Sequence, residues 1–268
     1  MTCPCGHHHS PRHHHAATGT PVALRRPMVA LTGRLTCADA GQMMTALSLL
    51  PDHVALSRDE PGCLRFELWQ DDDPLVWHLS ELFVDADAFA AHGKRTADSP
   101  WGRESASIGR DFQRHEVIPV IRRETRQDLD AIDTLLRTAF GGDAEARLVR
   151  QLREDGDLSL SLVADAAGTI VGHAALSPLG ADRPAFALAP VAVAPKARRL
   201  GIGAALVRQA VAWADEASVV VLGDPGYYGP LGFLPAPLDS PHAGPGLQMI
   251  GDLPHGSAIR HAAAFAGF

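Results

Sequence analysis

The chain has 268 residues, 46% hydrophobic and 21% charged, which places it among packed globular proteins with room for two ordinary domains. A net charge of −7 argues against a dedicated nucleic-acid binder, and no apolar run reaches the roughly 18–20 residues of a membrane span. The four cysteines, Cys3, Cys5, Cys37 and Cys63, show no pairing framework, and the N-terminus lacks the basic-then-apolar pattern of a secretory signal, so a cytoplasmic location is expected.

Residues 1–27 are low-complexity, with His7-His8-His9 and His13-His14-His15 followed by small residues, prolines and Arg25-Arg26. They read as a disordered leader; together with Cys3 and Cys5 the histidines also offer an adventitious Zn or Ni site. From Met28 the texture changes. "MVALTGRL" alternates Val29, Leu31, Gly33 and Leu35, the period of a half-buried strand. A helix follows through "ADAGQMMTALSLLPDHVALSRDE", where Pro51 predicts a break or kink. "GCLRFELWQ" and "LVWHLSELFV" read as strands around the turn "DDDP". "DADAFAAHGKRTAD" reads as a helix capped by Asp85 or Asp87, and "DFQRHEVIPV" as a last strand. The order β-α-β-β-α-β predicts a ferredoxin-like α+β module over 28–117.

A second unit spans 120–268. "IRRETRQDLDAIDTLLRTAF" predicts a short strand and a helix, and "DAEARLVRQLRED" a further helix. "SLSLVADAAGTIVGHAALSPL" predicts a hairpin turning at "DAAGT". "AFALAPVAVAP" is a buried strand in which Pro190, having no N–H to donate, predicts broken or bulged pairing. After the stretch "KARRLGIGAAL" comes the helix "GAALVRQAVAWADEA" and a continuous apolar strand, "VVVLGD", of the kind buried on both faces.

Glycine at a helix start bares backbone amides and favours an anion, most often phosphate. Three readings of Arg198 to Ala204 compete. A Walker A loop needs Gly-Lys-Ser/Thr, and here Gly203 is followed by Ala204-Ala205. A dinucleotide fingerprint has Gly201-x-Gly203 and Asp224 about twenty residues on, but Leu206 takes its third glycine position and "PKARR" separates the glycines from the strand. The third reading is a pyrophosphate loop with a basic lead-in, Arg198-x-x-Gly201-x-Gly203.

That third pattern resembles the GNAT superfamily of acyl-CoA-dependent N-acyltransferases. "IVGHAALSP", "ALAPVAVAP", "RRLGIGAALV", "VVVLGDPGYYGPLGFLPA" and "GSAIRHAAAFAGF" occur in the order of a YhbS-like subgroup. The resemblance implies a mixed central sheet with flanking helices and an acetyl-CoA cosubstrate. It implies cofactor binding by Val191, Ala192, Val193, Arg198, Arg199, Leu200, Gly201, Ile202, Gly203 and Ala204. It also implies a thiolate proton donor at Tyr228, four residues before Gly232-Phe233. Val191 and Val193 would pair with the pantetheine arm. No acid lies in "AFALAPVAVAP", so His173, Asp182, Asp224 and solvent all stay open as routes for the amine's proton. The acceptor is an amine of unassigned identity.

The first unit is similar to the antibiotic biosynthesis monooxygenase (ABM) family through Ser57-Arg58, Glu60-Pro61-Gly62-Cys63, Phe66, Glu81 and His92. The resemblance implies an α+β barrel module that dimerises through its sheet, with quinol or aromatic oxidation as an alternative role. Trp69, Trp77, His78 and His92 are its candidate pocket residues. Trp77 and His78 are adjacent on a strand and therefore face opposite sides. The expectation is an acetyl-CoA-dependent N-acetyltransferase carrying an ABM-like dimerisation or sensor module, with no resident metal. The alternative from another class is a non-catalytic acyl-CoA-binding regulator.

Overall fold

The computed structural model describes residues 21–267. The His-rich stretch and its metal reading, at residues 1–20, lie outside the described residues. In chain order the elements are β1 (Val22–Ala23), β2 (Met28–Thr36), α1 (Ala40–Asp59), β3 (Cys63–Gln70), β4 (Val76–Phe83), α2 (Ala86–Asp98), α3 (Pro100–Glu104) and β5 (Gly109–Val117). Then come β6 (Val120–Arg123), α4 (Leu129–Phe140), α5 (Ala144–Glu154), β7 (Leu160–Ala166), β8 (Thr169–Pro178) and β9 (Ala185–Val193). The remainder is α6 (Ile202–Ala214), β10 (Ser218–Leu222), α7 (Pro225–Tyr228), β11 (Leu234–Pro235) and β12 (Leu247–Ile250).

The first module is an open antiparallel sheet in the order β3-β4-β2-β5, the ferredoxin-like arrangement. Leu31, Leu35, Phe66, Leu79 and Phe83 face α1, α2 and α3 and form its core. Asp85 caps α2 by accepting from the Ala88 amide, which decides between the two candidate caps. Pro51 neither breaks nor ends α1, which runs unbroken through it. Pro51 lies on the exposed side of the helix, as does Leu47, whose carbonyl its missing N–H leaves open to solvent.

The second sheet, among the described residues, runs β1-β6-β7-β8-β9-β10-β12-β11. The β7–β8 hairpin turns at Ala167-Gly168, both with positive φ (49° and 81°), as a two-residue hairpin demands. At Pro190 the register between β8 and β9 slips, from Ala174↔Val191 to Leu176↔Leu188, so the proline sits in a bulge. One expectation is corrected at the boundary of the leader. Val22 and Ala23 pair with Ile121 and Val120 as an edge strand of the second sheet, so ordered chain begins before Met28. A two-residue strand carries too little periodicity to be legible in sequence.

The two modules share a core. The face of the first sheet that points away from its helices carries Met28, Ala30, Leu82 and Val117, and these join the same cluster as Leu162, Ala166, Val171, Ile202 and Leu206. Ala30 and Leu82 are 0% exposed, which on an uncovered sheet face would be impossible. Arg65 Nη1 closes the seam by donating to the Ala167 carbonyl at 2.9 Å and to Thr169 Oγ1 at 2.7 Å. The second module therefore occupies one half of the face through which ABM-like modules are expected to pair. Thr32, Arg34, Trp69, His78 and Asp111 remain on the open half.

The first module's core also buries charge-bearing groups. Glu81 is 2% exposed, and burial, reinforced by the nearby Glu60 carboxylate, pushes its pKa up to about 8. Its Oε2 lies 3.8 Å from His92 Nε2 and has no hydrogen-bond partner among the described residues. His53 is buried beside it, held neutral with its pKa driven down to about 3, chiefly by desolvation.

Two outcomes follow from this packing. Calorimetry of the whole chain should give one cooperative transition, and Leu82→Ala should lower it by about 2–5 kcal/mol of stability; two separate transitions, only one of them shifted, would contradict the shared core. For Glu81 the folded pKa is raised, so its contribution is present at low pH and is lost as pH rises from about 4.5 to about 8. Glu81→Gln should therefore gain in unfolding midpoint over the parent across that window and hold the gain above it. A pH-independent difference would show that the carboxyl ionises freely in the fold.

Candidate functional site

The site is set by where two neighbouring parallel strands stop pairing. β9 and β10 are in register at Ser218↔Ala185, Val219↔Phe186 and Val220↔Ala187, and the ladder ends there. The rest of β9, with the Pro190 bulge and then Val191 to Val193, diverges from β10. The gap opens into a cleft of about 600 Å³. Val191, Ala192 and Val193 form one wall, Tyr227 and Tyr228 of α7 the other, and residues 197–199 and 201–204 the end.

The loop at that end is shaped by two left-handed residues, Arg199 (φ 65°) and Gly201 (φ 84°). Gly201 is the N-cap residue of α6, whose first turn has no side-chain cap and no acidic residue. The amides of Ile202, Gly203 and Ala204 are thus left for another acceptor, at the positive end of the helix. Gly203 permits a close approach: a Cβ there would stand 2.5 Å from Tyr227 Oη and 3.3 Å from Val193 Cγ2. Arg198 donates to the Ala139 carbonyl at 2.8 Å, tying the loop to the last turn of α4.

Asp224 builds the opposite wall. Its side chain accepts from the Gly226 amide, and its carbonyl accepts from the amides of Tyr227 and Tyr228, both at 3.0 Å. The Tyr228 ring stands edge-on to Phe233 and to Tyr227, with centroids 5.4 and 4.9 Å away. Desolvation pushes the Tyr228 hydroxyl up to about 12, so it stays a phenol throughout the neutral range.

Of the residues expected at the cofactor site, Val191, Ala192, Val193, Arg198, Arg199, Gly201, Ile202, Gly203, Ala204 and Tyr228 all line the cleft. Leu200 does not; it packs against the shared core. Ala139, Phe140 and Tyr227 line it as well. The first two come from the end of α4, some fifty residues upstream, and no local motif in sequence marks them. Asp224 is the single carboxylate of the lining among the described residues. His173 is fully buried outside the cleft, 2.9 Å from Ser161 Oγ, which in turn donates to Glu124 at 2.5 Å. Its pKa falls to about 4 through desolvation, as for a structural residue of the core. Asp182 accepts from Ser257 and also lies apart from the cleft.

The candidate residues of the first module divide between its two faces. His92 lines a cavity of about 180 Å³ together with His53, Phe66, Glu81 and Trp101. Its Nδ1 is 2.9 Å from Glu60 Oε2, and Arg95 donates to the same carboxylate at 2.5 Å. Trp77 packs below α1, outside that cavity, while Trp69 and His78 stack on the open sheet face, 5.4 Å between centroids. The four do not form one pocket.

Comparisons with known proteins match a family to a part of each module. The acetyltransferase (GNAT) family matches residues 129–224, and the antibiotic biosynthesis monooxygenase family matches residues 28–97. YhbS of Escherichia coli (strain K12), an uncharacterized N-acetyltransferase, is 45% identical over 121 residues, which cover 42% of this chain and 72% of that protein. The crystal structure of E. coli YhbS in complex with CoA superposes with a TM-score of 0.51 at 34% identity, covering 55% of this chain and 91% of that one. A GNAT family acetyltransferase from Brucella melitensis, in complex with acetyl-CoA, gives 0.48 at 33% identity, covering 54% of this chain and 96% of that one. The chain belongs to the GNAT family of N-acetyltransferases and carries an antibiotic biosynthesis monooxygenase domain in front of its acetyltransferase domain.

Proposed function

We propose that the chain transfers an acetyl group from acetyl-CoA to an amine, with the cleft between β9 and α7 as the donor's site. The observation that carries this reading is the conjunction of an uncapped α6 N-terminus with the parting of β9 from β10. Loop amides suit a pyrophosphate, and an unpaired strand edge suits the amide groups of pantetheine, which hydrogen-bond as a further strand would. The E. coli relative in complex with CoA supports the same assignment.

In this reading Arg198 to Ala204 hold the pyrophosphate, with Arg198 and Arg199 adding charge, and Val191 to Val193 receive the pantetheine arm. Leu200 acts from the core side as a support for the loop. The amine attacks the thioester carbonyl as the neutral base; the C–N bond forms, the C–S bond breaks, and the nitrogen gives up a proton. The departing sulfur leaves with the bond pair. A phenol at about 12 is a weaker acid than a thiol near 8.5, so Tyr228 acts chiefly by donating a hydrogen bond to that sulfur. Solvent carries the net proton from nitrogen to thiolate, consistent with the absence of a buried base on this stretch of β9. The units are proposed as 28–117 and 120–268, with β1 added to the second sheet. The N-terminal module is proposed to fix the acetyltransferase by packing against it, and pairing of two copies would have to use the open half of its sheet.

The test is thiol release from acetyl-CoA across a panel of primary amines, with donor affinity measured alongside. Tyr228→Phe should lower turnover at least about tenfold, the loss of one hydrogen bond to a charged group, and leave donor affinity within about twofold; unchanged turnover removes Tyr228 from the chemistry. Gly203→Asp should abolish donor binding, because a side chain there meets Tyr227 and brings a negative charge to the loop; retained affinity would overturn the loop's role. Tight donor binding with no thiol release on any amine would favour the binding regulator instead.

A further inference from the structure

A second cleft, of about 460 Å³, lies beside the first at the seam between the two modules. Arg58, Arg65 and Glu67 of the N-terminal module face Thr138 of α4 and the segment Ala194 to Lys196 across it. The two clefts share a wall. Thr138 lines this one, and the next residues of α4, Ala139 and Phe140, line the first. Likewise Lys196 lines this one, and Ala197, Arg198 and Arg199 line the first.

The seam is basic in an unusual way. Among the described residues none of Arg58, Arg65 and Lys196 is in an ion pair. Each is held instead by neutral oxygens. Arg58 Nε donates to the Phe66 carbonyl at 3.0 Å, which fixes the guanidinium and leaves its terminal nitrogens available. The Lys196 ammonium donates to the Arg58 carbonyl. Arg65 has one nitrogen on Ala167 and Thr169, while its buried Nε has no partner. Glu67 is the single carboxylate of the lining. Cations positioned by carbonyls keep their charge unneutralised, and an anion that enters gains charge-assisted hydrogen bonds from a preset geometry.

We propose that this seam binds the 3′-phosphate of coenzyme A, so that the N-terminal module supplies part of the donor's site through Arg58. The inference rests on the donor reading above. In coenzyme A the pyrophosphate and the 3′-phosphate hang from one ribose, so the second phosphate must lie a few bonds from the first. Lys196 and Arg198 are two residues apart, at most about 7 Å of chain, which matches one phosphate in each cleft. A dianionic phosphate monoester is the group these cations read. A separate phosphorylated molecule would offer the same group, and the test distinguishes the two.

Calorimetric titration of the full chain with CoA and with 3′-dephospho-CoA makes the comparison directly. The parent should bind CoA about tenfold more tightly, the scale of one charge-assisted hydrogen bond lost. In Arg58→Gln/Lys196→Gln the affinity for CoA should fall to that for 3′-dephospho-CoA, which itself should not change. Arg58→Gln alone, at an exposed position, should lose part of the preference and serves if the double variant does not fold. Equal affinities of the parent for the two compounds would overturn the inference and leave the donor reading standing. Saturable binding of inorganic phosphate to the CoA-loaded chain, abolished by Arg58→Gln, would likewise overturn it by making the seam a separate phosphate site. Binding of neither compound would overturn the donor reading and this inference with it.

Discussion

Everything at the cleft follows from the point at which β9 and β10 cease to be one sheet. Their ladder ends at Val220↔Ala187, and beyond it β9 carries a proline-centred bulge that re-aims the strand. Strand edges without partners are costly inside a protein and must be met by something. Here the gap is walled by α7 and ended by the uncapped turn of α6, so the free edge of β9 and the first amides of α6 converge on one space. Acyl transfer from a thioester needs no buried titratable dyad in such a space. It needs the donor held in line with the amine and hydrogen-bond donors aimed at the developing oxyanion.

The second constraint is that the two modules are not beads on a string. Met28, Ala30, Leu82 and Val117 are core residues of the acetyltransferase as much as of the sheet that bears them. This gives the N-terminal module a structural consequence that its family name does not suggest, since half of an otherwise available sheet face is taken up within the chain. The seam also brings Arg58 and Arg65 beside Lys196, next in the chain to the residues that end the first cleft. The packing of the two modules thus places side chains of one along a cleft of the other. Its own cavity, with Glu81 and His53 held neutral by burial, is a separate chemical environment on the other side of that sheet.

Much of this was legible in the sequence where periodicity and special backbone angles leave marks. The alternation of Val29, Leu31, Gly33 and Leu35 gives the helix-facing side of β2, Pro190 marks the bulge, and Gly201 with Gly203 marks the loop. What could not be read depends on contacts remote in sequence. Ala139 and Phe140 reach the cleft only because α4 ends against Arg198. Leu200 sits within a loop motif yet turns to the core, since the motif fixes the backbone and not which neighbour a side chain meets. Pro51 misleads because helix breaking assumes a carbonyl that cannot find water, and on an exposed face it can. The sharing of a core between modules is invisible to any pattern read one element at a time.

Which nucleotide the loop holds decides the chemistry of the cleft. Parallel equilibrium titrations of the full chain with CoA and with NAD separate the pyrophosphate-loop reading from the dinucleotide one. One saturable CoA site per chain and no measurable NAD binding are expected. Saturable NAD binding, or no CoA binding, would overturn the acetyl-CoA reading of the cleft.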